Sequence, residues 1–359
     1  MHKISRKIIL IIILSCLYTS TYAQSISPKV DVNVSDSTNK ERPFNISGGM
    51  DLYYKGGSRS ALSYTAYTHA FNAFQIGTAN LIFSKESGKV GFKADLFLGE
   101  RAEQFNYNYH NSGIAIGAIK QLYITYKPFK IIKFTFGSFS TFFDRESVDA
   151  NKNLNYSMSY IYTNGPFFHT GLKMDVAFSL KFSAMIGIFD APDTKGFSGH
   201  KNYGGQLSYA DGKFKSSLNF LIGDSLNSIA VRNTFVNFNC NYQVSPKFGL
   251  GLNIENKTSS PNAKFFSDAS TNWIGIALYA DYAISNKFTL ALRGENFNDK
   301  SGLAFYGTTL NEFTASINFK HKSLTLIPEL RYDTAGDNIF LFGNGTSQWT
   351  YLLAVVYKF

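Results

Sequence analysis

The chain has 359 residues and a formal net charge of +10, and only 17% of its residues are charged while 16% are aromatic. That charged fraction is well below the roughly 25% of ordinary soluble domains, and no apolar run after residue 23 approaches the roughly 20 residues of a transmembrane helix. The composition therefore excludes a helical membrane protein, and the scatter of the cations argues against a nucleic-acid-binding protein.

The first 23 residues, "MHKISRKIILIIILSCLYTSTYA", have the layout of a secretory signal peptide. A basic start is followed by an apolar run and by small residues before a cleavage site after Ala23. Because the run is too short to span a bilayer, we expect the mature chain to be exported. A retained membrane anchor and lipoprotein processing at Cys16 are the less favoured alternatives.

Residues 24–43 are polar and predict a short periplasmic linker. From residue 44 onward, segments that alternate between apolar and polar residues recur, and no 3.6-residue helical period is evident. In "LYITY", for example, Leu122, Ile124 and Tyr126 share one face of a strand. Such strands form either a soluble sandwich with a common core or a membrane barrel with a lipid-facing surface.

Connections of two kinds alternate along residues 44–359. Seven short turns, each with lysine, lie at 86–89, 127–130, 179–181, 210–213, 245–247, 285–287 and 321–323. Eight longer polar stretches lie near 55–66, 100–113, 142–165, 190–201, 223–229, 256–271, 296–309 and 333–347. Short periplasmic turns, long external loops and strands of about 9–12 residues are typical of outer-membrane barrels. We predict an all-β fold, a transmembrane antiparallel up-and-down β-barrel of about 16 strands (range about 14–18), in the bacterial outer membrane.

The stretch 136–178 resembles the OmpL-like β-barrel porin family of outer-membrane proteins. It carries a glycine-bearing strand, an acidic loop, then "NYSMS" (155–159) and "PFFHTGLKM" (166–174). Met158 stands where the family often has Arg. The resemblance implies a bacterial outer-membrane barrel with a porin function, and it implies no particular substrate.

The polar faces of the predicted strands would line the barrel lumen. The candidate lumen-lining residues are Lys93, Asp95, Lys133, Lys173, Asp175, Arg293, Glu295, Glu329 and Arg331. Several lie two positions apart, which favours wall ion pairs that hydrate the lumen over a constriction with opposed charge ladders. The two signs nearly cancel, so strong anion selectivity is not predicted.

The longest predicted external loop, residues 142–165, is the candidate constriction. Its charged candidates are Asp144, Arg145, Glu146 and Asp149. Folded inward, these residues would narrow a pore. The alternatives are that the loop caps the barrel or faces solvent near lipopolysaccharide.

The chain ends "YLLAVVYKF", an alternating and aromatic segment. Its aromatic residues share one face, which predicts the lipid side of a closing strand that pairs with the strand beginning near Phe44. By resemblance to outer-membrane proteins, Tyr357 and Phe359 are candidates for a C-terminal assembly signal recognised by the barrel-assembly machinery.

We expect a porin-like channel for the passive diffusion of small hydrophilic solutes. The alternative is a plugged or narrow barrel that acts as an adhesin or structural protein, and a soluble secreted β-protein or an outer-membrane hydrolase is less favoured. Ser198 and His200 do not form a nucleophile elbow, and the six His lack metal-ligand spacing, so no enzymatic activity, metal or cofactor is expected. The expected partners are outer-membrane lipid, lipopolysaccharide and the barrel-assembly machinery, with a homotrimer as one option for assembly.

Overall fold

The computed structural model describes residues 44–58, 64–107, 114–143, 145–196, 199–225, 228–261 and 269–359. The predicted signal peptide (1–23) and linker (24–43) lie outside the described residues, as do Asp144 and Ser198. Within these ranges, no helix is long and apolar enough to cross a membrane.

The described residues form sixteen antiparallel strands that close into one barrel. The strands are β1 (Asn45–Gly57), β2 (Ala73–Ser87), β3 (Val90–Leu98), β4 (Ile119–Phe129), β5 (Ile132–Ser140), β6 (Phe168–Ala177), β7 (Phe182–Asp190), β8 (Lys201–Asp211), β9 (Phe214–Ser225), β10 (Ser228–Ser245), β11 (Phe248–Pro261), β12 (Thr271–Ala283), β13 (Phe288–Asn298), β14 (Thr309–His321), β15 (Leu324–Ala335) and β16 (Ser347–Lys358). Each strand pairs with its neighbours in the chain, and β16 pairs with β1. The predicted up-and-down all-β barrel and its strand number are confirmed.

The helices are short and lie in the long connections. They are α1 (Glu100–Phe105), α2 (Ile114–Gly117), α3 (Tyr160–Asn164) and α4 (Phe340–Gly343), with a 3-10 turn at Ala150–Lys152. The periodicity of the sequence did not predict them, because one or two helical turns are too short to establish a 3.6-residue period.

The seven short turns lie between consecutive strands, as predicted. Gly88 and Gly212 adopt φ angles of 56° and 51°, the left-handed conformation that tight hairpin turns require and that glycine adopts without steric cost. These turns hold the strands in register at one end of the barrel, opposite the long loops.

Two of the long stretches contain more strand than the sequence indicates. β11 continues to Pro261 and β10 begins at Ser228, so much of the stretches near 223–229 and 256–271 belongs to the sheet. The hydrogen-bonded ladder continues there through the polar residues 256–260, "NKTSS". With polar residues on both faces, this part of the strand has no alternation that sequence reasoning can detect.

Large apolar side chains cover the outside of the barrel. Leu122, Ile124 and Tyr126, which are predicted to share a face, are 51%, 57% and 48% exposed. A contiguous apolar surface is a liability in a water-soluble protein but is the surface that a barrel presents to lipid. The alternation read from the sequence therefore separates the lipid face from the interior.

The seam between β1 and β16 includes the last residue of the chain. Gly49 lies opposite Lys358, the Phe359 N–H donates to the Gly48 carbonyl at 3.0 Å, and the Gly48 N–H donates to the Phe359 carbonyl at 3.1 Å. The closing strand therefore pairs with the first strand as far as its final residue.

We expect deletion of Phe359 to lower the yield of folded barrel in the outer membrane. The deletion removes both hydrogen bonds to Gly48 and the aromatic terminus that we propose as an assembly signal. The yield is measured in isolated outer membranes as the fraction of protein whose gel migration changes on heating. Phe359→Trp keeps the aromatic ring and the backbone bonds and should assemble normally. A normal yield of the deletion variant would count against the signal.

Candidate functional site

The connection between β5 and β6, residues 141–167, folds into the barrel and is called the inward loop below. Its Tyr156 and Tyr160 side chains have no exposed surface. The loop contains the 3-10 turn and α3, whose start is capped by the Ser159 hydroxyl, which accepts the Tyr162 N–H. This connection is thus a structured element inside the barrel.

Two wall carboxylates bind the backbone of the inward loop. Glu329 on β15 accepts the N–H groups of Tyr156 and Ser157 at 2.6 and 3.1 Å. Glu295 on β13 accepts the first two N–H groups of α3 at 2.7 and 2.8 Å. A buried N–H without an acceptor costs about 1–3 kcal/mol, so these side chains make it possible for polar backbone to lie inside the barrel.

Arg293 on β13 joins the loop to the neighbouring wall strand. Its guanidinium group is wholly buried and lies 3.0 Å from the Glu312 carboxylate on β14 and 2.6 Å from the Glu146 carboxylate in the loop. It also donates to the Ser157 carbonyl at 2.7 Å. Because donors in a guanidinium fork are fixed in one plane, Arg293 positions the loop as well as neutralising the acids.

Arg331 on β15 holds the next part of the loop. It pairs with Asp333 at 2.7 Å and donates to the Met158 carbonyl at 2.7 Å. Glu329 and Arg331 lie two positions apart on β15 but have different partners, since Glu329 binds loop N–H groups and Arg331 pairs with Asp333. The loop backbone competes for the Glu329 and Arg331 side chains. This competition cannot be inferred from the spacing of the two residues in the sequence.

A ladder of amide side chains crosses β8, β9 and β10 beneath the start of the loop. Gln206 donates to Asn219 at 2.7 Å, and Asn219 donates to Asn237 at 2.8 Å. The adjacent Asn239 donates to the Phe143 carbonyl at 2.8 Å. The loop is therefore held by neutral amides where it begins and by charged groups where it crosses the lumen.

Apolar side chains pack around the loop in the barrel interior. The wall residues of the largest cluster include Met185, Phe189, Leu221, Phe235, Trp273, Tyr279, Phe297 and Leu310. Sequence reasoning missed them because it assigned polar character to every inward face. The signal is present in runs such as 220–222, "FLI", where consecutive residues make both faces of a strand apolar.

The other candidate lumen residues lie on β3, β5 and β6. Lys93 lies 3.9 Å from Asp95, and both Lys133 and Lys173 contact Asp175, at 3.4 and 3.1 Å. The i, i+2 pairs of β3 and β6 that the sequence suggests are thus present.

Arg145 and Asp149, two further candidate constriction residues, lie in the inward loop and contact different side chains. The Arg145 guanidinium lies 4.2 Å from the centroid of the Tyr279 ring. Asp149 contacts Lys120 and lies 2.6 Å from Lys152. Burial alone would raise the pKa of Asp149, but the two ammonium groups outweigh it and hold the pKa well below its ordinary value. Asp149 is therefore ionised at neutral pH.

A cavity of about 1110 Å³ lies on the side of the inward loop that carries the long connections. Residues 163–167 of the loop form part of its lining, together with polar side chains that include Glu100, Glu103, Asn233 and Lys257. We call this space the external vestibule.

Asp193, in the connection after β7, holds the end of the inward loop. Its carboxylate accepts the Phe167 N–H at 2.7 Å and the Phe168 N–H at 3.1 Å. Burial raises the pKa of Asp193 to about 7. Between the ordinary pKa of about 4 and this value the folded protein binds a proton that the unfolded chain has lost, so stability falls as the pH rises through that range.

We expect Asp193→Asn to gain stability relative to the wild type as the pH is raised from about 5 to about 9. The amide oxygen still accepts both N–H groups, and the variant no longer buries an ionisable carboxyl. The temperature of the heat-induced gel shift, measured at both pH values, checks this. Asp211→Asn, at the exposed end of β8, is the control, and the difference between its gel-shift temperature and that of the wild type should be the same at both pH values. A stability difference between Asp193→Asn and the wild type that is the same at both pH values would contradict the prediction.

A closed sixteen-strand barrel with an apolar outer surface and a loop fixed in its interior defines an outer-membrane porin. The sequence profile of the family described as "Putative beta-barrel porin-2, OmpL-like" matches residues 43–359. The chain belongs to this family, which confirms the resemblance that the sequence shows.

Solved structures share the fold at low sequence identity. The anion-selective porin from Comamonas acidovorans superposes with a TM-score of 0.62 at 10% identity, covering 88% of this chain and 99% of that one. The outer-membrane channel DcaP of Acinetobacter baumannii superposes with a TM-score of 0.61 at 14% identity, covering 88% of this chain and 97% of that one. OprB of Pseudomonas putida superposes with a TM-score of 0.57 at 12% identity, covering 88% of this chain and 94% of that one. None of the curated proteins compared with the chain matches it.

Proposed function

We propose that this porin is a passive diffusion channel for small hydrophilic solutes and that the inward loop is its constriction. The fixation of the loop inside the barrel carries the proposal. Glu295 and Glu329 accept four of its N–H groups, and Arg293 and Arg331 bind its carbonyls. A loop held by inward wall residues narrows the lumen at a fixed depth, whereas an adhesive loop would extend into the medium.

Polar groups on both sides of the loop support the passage of solutes. The external vestibule is lined by carboxylates, amides and Lys257. Toward the short turns, Lys133, Lys173 and Asp175 are 32%, 18% and 15% exposed. A pore with such a lining replaces part of the hydration of a polar solute and excludes apolar ones.

The candidate residues accordingly divide into two proposed roles. The first group lines the water-filled lumen and consists of Lys93, Lys133, Lys173 and Asp175. The second group positions the loop and consists of Asp95, Arg145, Glu146, Asp149, Arg293, Glu295, Glu329 and Arg331. We further propose lipopolysaccharide at the external rim, recognition of Tyr357 and Phe359 by the barrel-assembly machinery, and a homotrimeric assembly.

A plugged barrel that serves as an adhesin or structural protein is the competing function. The apolar packing of Phe143, Tyr160 and Ile161 against the wall favours it, because this packing leaves less of the cross-section to water. The family and the fold are those of a channel, which favours diffusion.

Liposome swelling tests the proposal. Liposomes that contain the purified, folded protein are placed in isotonic solutions of sugars of increasing size. We expect fast swelling with the smallest sugars and a steep decrease with solute size, since the loop limits the cross-section. Protein that is heat-denatured before reconstitution is the control and should give no swelling. Absence of swelling with every solute would overturn the diffusion channel and favour the plugged barrel.

A further inference from the structure

Most acidic side chains on the inner wall are covered by the inward loop. Glu295, Glu312 and Glu329 are 5% exposed or less. Asp95 has no exposed surface and lies 3.1 Å from Lys120, which is also wholly buried. These carboxylates are bound to loop N–H groups or to buried cations, so they contribute little to the surface that water meets in the lumen.

Four lysines on one side of the interior keep exposed surface. The side chains of Lys93 on β3, Lys133 on β5 and Lys173 on β6 are 23%, 32% and 18% exposed. Lys152, in the 3-10 turn of the inward loop, is 50% exposed. We call these four residues the lysine sector.

The lysine sector is continuous across neighbouring strands. Lys93 lies within electrostatic range of Lys152, and Lys173 lies within range of Lys133. Between the two pairs, Tyr123 on β4 is opposite Lys93 in the ladder. The Tyr123 hydroxyl lies within electrostatic range of Asp95 and of Asp175, the acids that contact Lys93 and Lys173. The sector thus forms one stretch of wall from β3 to β6, with the loop residue above it.

Positive charge exceeds negative charge in this stretch. Together with the buried Lys120, the lysine sector carries five cations. The acids that contact it are Asp95, Asp149 and Asp175, which are 0%, 10% and 15% exposed. The excess is therefore two positive charges. Because the lysines of the sector are more exposed than the three acids, the exposed surface is more cationic than this count indicates.

Two further acids near the inner surface have cations of their own. Asp281 on β12 lies within electrostatic range of Arg145, and Glu86 at the rim lies 3.3 Å from Lys127. They do not offset the excess of the lysine sector.

We propose that the lysine sector is a binding station for small anions of the carboxylate and phosphate class and that it makes the channel anion-selective. This inference rests on the proposed diffusion function. Ammonium groups that line a narrow, water-filled lumen with low-dielectric walls raise the local concentration of anions. Lysine binds such oxyanions as a point charge that side-chain rotation can aim. Each lysine side chain is partly desolvated and partly exposed, which suits transient binding that still permits release.

The reversal potential across a KCl gradient in planar bilayers tests this proposal. We expect the wild-type potential to have the sign of chloride selectivity. Lys133→Gln/Lys173→Gln removes two cations, leaves Asp175 on the wall, and should lower the chloride preference several-fold. Lys181→Gln, an exposed turn residue that pairs with Asp211, is the matched control and should keep the wild-type potential. Inorganic phosphate should block the wild-type chloride current at lower concentrations than it blocks the double variant.

The outcomes separate this inference from the function on which it rests. A conducting wild type with no preference, or with a potassium preference, would overturn the anion station and leave the diffusion channel intact. A wild type that never conducts would overturn both. If the double variant does not fold, Lys152→Gln in the loop replaces it, and the sign of the wild-type potential remains decisive. An unchanged chloride preference in a folded double variant would also overturn the proposal.

Discussion

Replacing Arg293 with methionine is expected to release the inward loop and to raise single-channel conductance. Arg293 is wholly buried and contacts both Glu146 and Glu312, so its loss leaves two carboxylates buried without their cation. Removing one partner of a buried ion pair costs ~3–5 kcal/mol. The strand ladder does not depend on Arg293, so the protein avoids most of this cost if the loop leaves the wall and water reaches the acids.

Arg293→Met is compared with Arg232→Met in planar bilayers and in the heat-induced gel shift. Arg232 is an exposed arginine at the external end of β10, 3.7 Å from Asp224, and its loss should change neither conductance nor the shift temperature. Wild-type conductance and stability in Arg293→Met would contradict the role assigned to this residue.

The second large effect is expected from Gly275→Val on β12. A Cβ at Gly275 would lie 2.9 Å from the Ile161 Cδ1 atom and 3.1 Å from the Phe297 ring, and closer still to another Ile161 atom. Overpacking of this kind costs ~1–3 kcal/mol. The movable partner is α3, whose displacement breaks its N–H bonds to Glu295. We therefore expect a larger or unstable conductance and a lower gel-shift temperature.

Gly294→Val on β13 is the matched control. An added Cβ there would have 4.0 Å to its nearest neighbour, the Glu312 carbonyl oxygen, and position 294 alternates with the inward Arg293 and Glu295. The same substitution on the outer face should leave conductance unchanged. Equal effects of the two variants would show that the valine acts on the strands and would contradict the docking of α3 at Gly275.

The barrel could be predicted from the sequence because lipid and lumen impose different chemistry on alternate residues. Leu122, Ile124 and Tyr126 show that period, and lysine-bearing turns mark each return of the chain. The closing strand was predictable on the same grounds, since the alternation of 349–359 continues to the last residue.

The attachment of the inward loop could not be predicted in this way. Glu295 and Glu329 lie 135 and 173 residues from the loop residues Tyr160 and Tyr156 whose N–H groups they accept. No local pattern records contacts over such separations. Alternation predicts inward-facing side chains for both acids, but it does not distinguish an acid that meets water from one that binds backbone.

The same limit explains the charge balance of the lumen. Counted from the sequence, inward acids and bases nearly cancel. In the folded chain Glu295 and Glu329 are bound beneath the loop, whereas Lys133 and Lys173 keep exposed surface. Burial, which depends on the path of the loop, decides which charges are exposed in the lumen.

The conductance of the purified wild-type protein in planar bilayers tests the central claim most directly, since a loop that constricts a lumen must leave a path for ions. We predict discrete current steps of uniform size that increase when Arg293→Met replaces the wild type. Persistent silence of folded wild-type protein at every voltage would contradict the account and identify the inward loop as a plug.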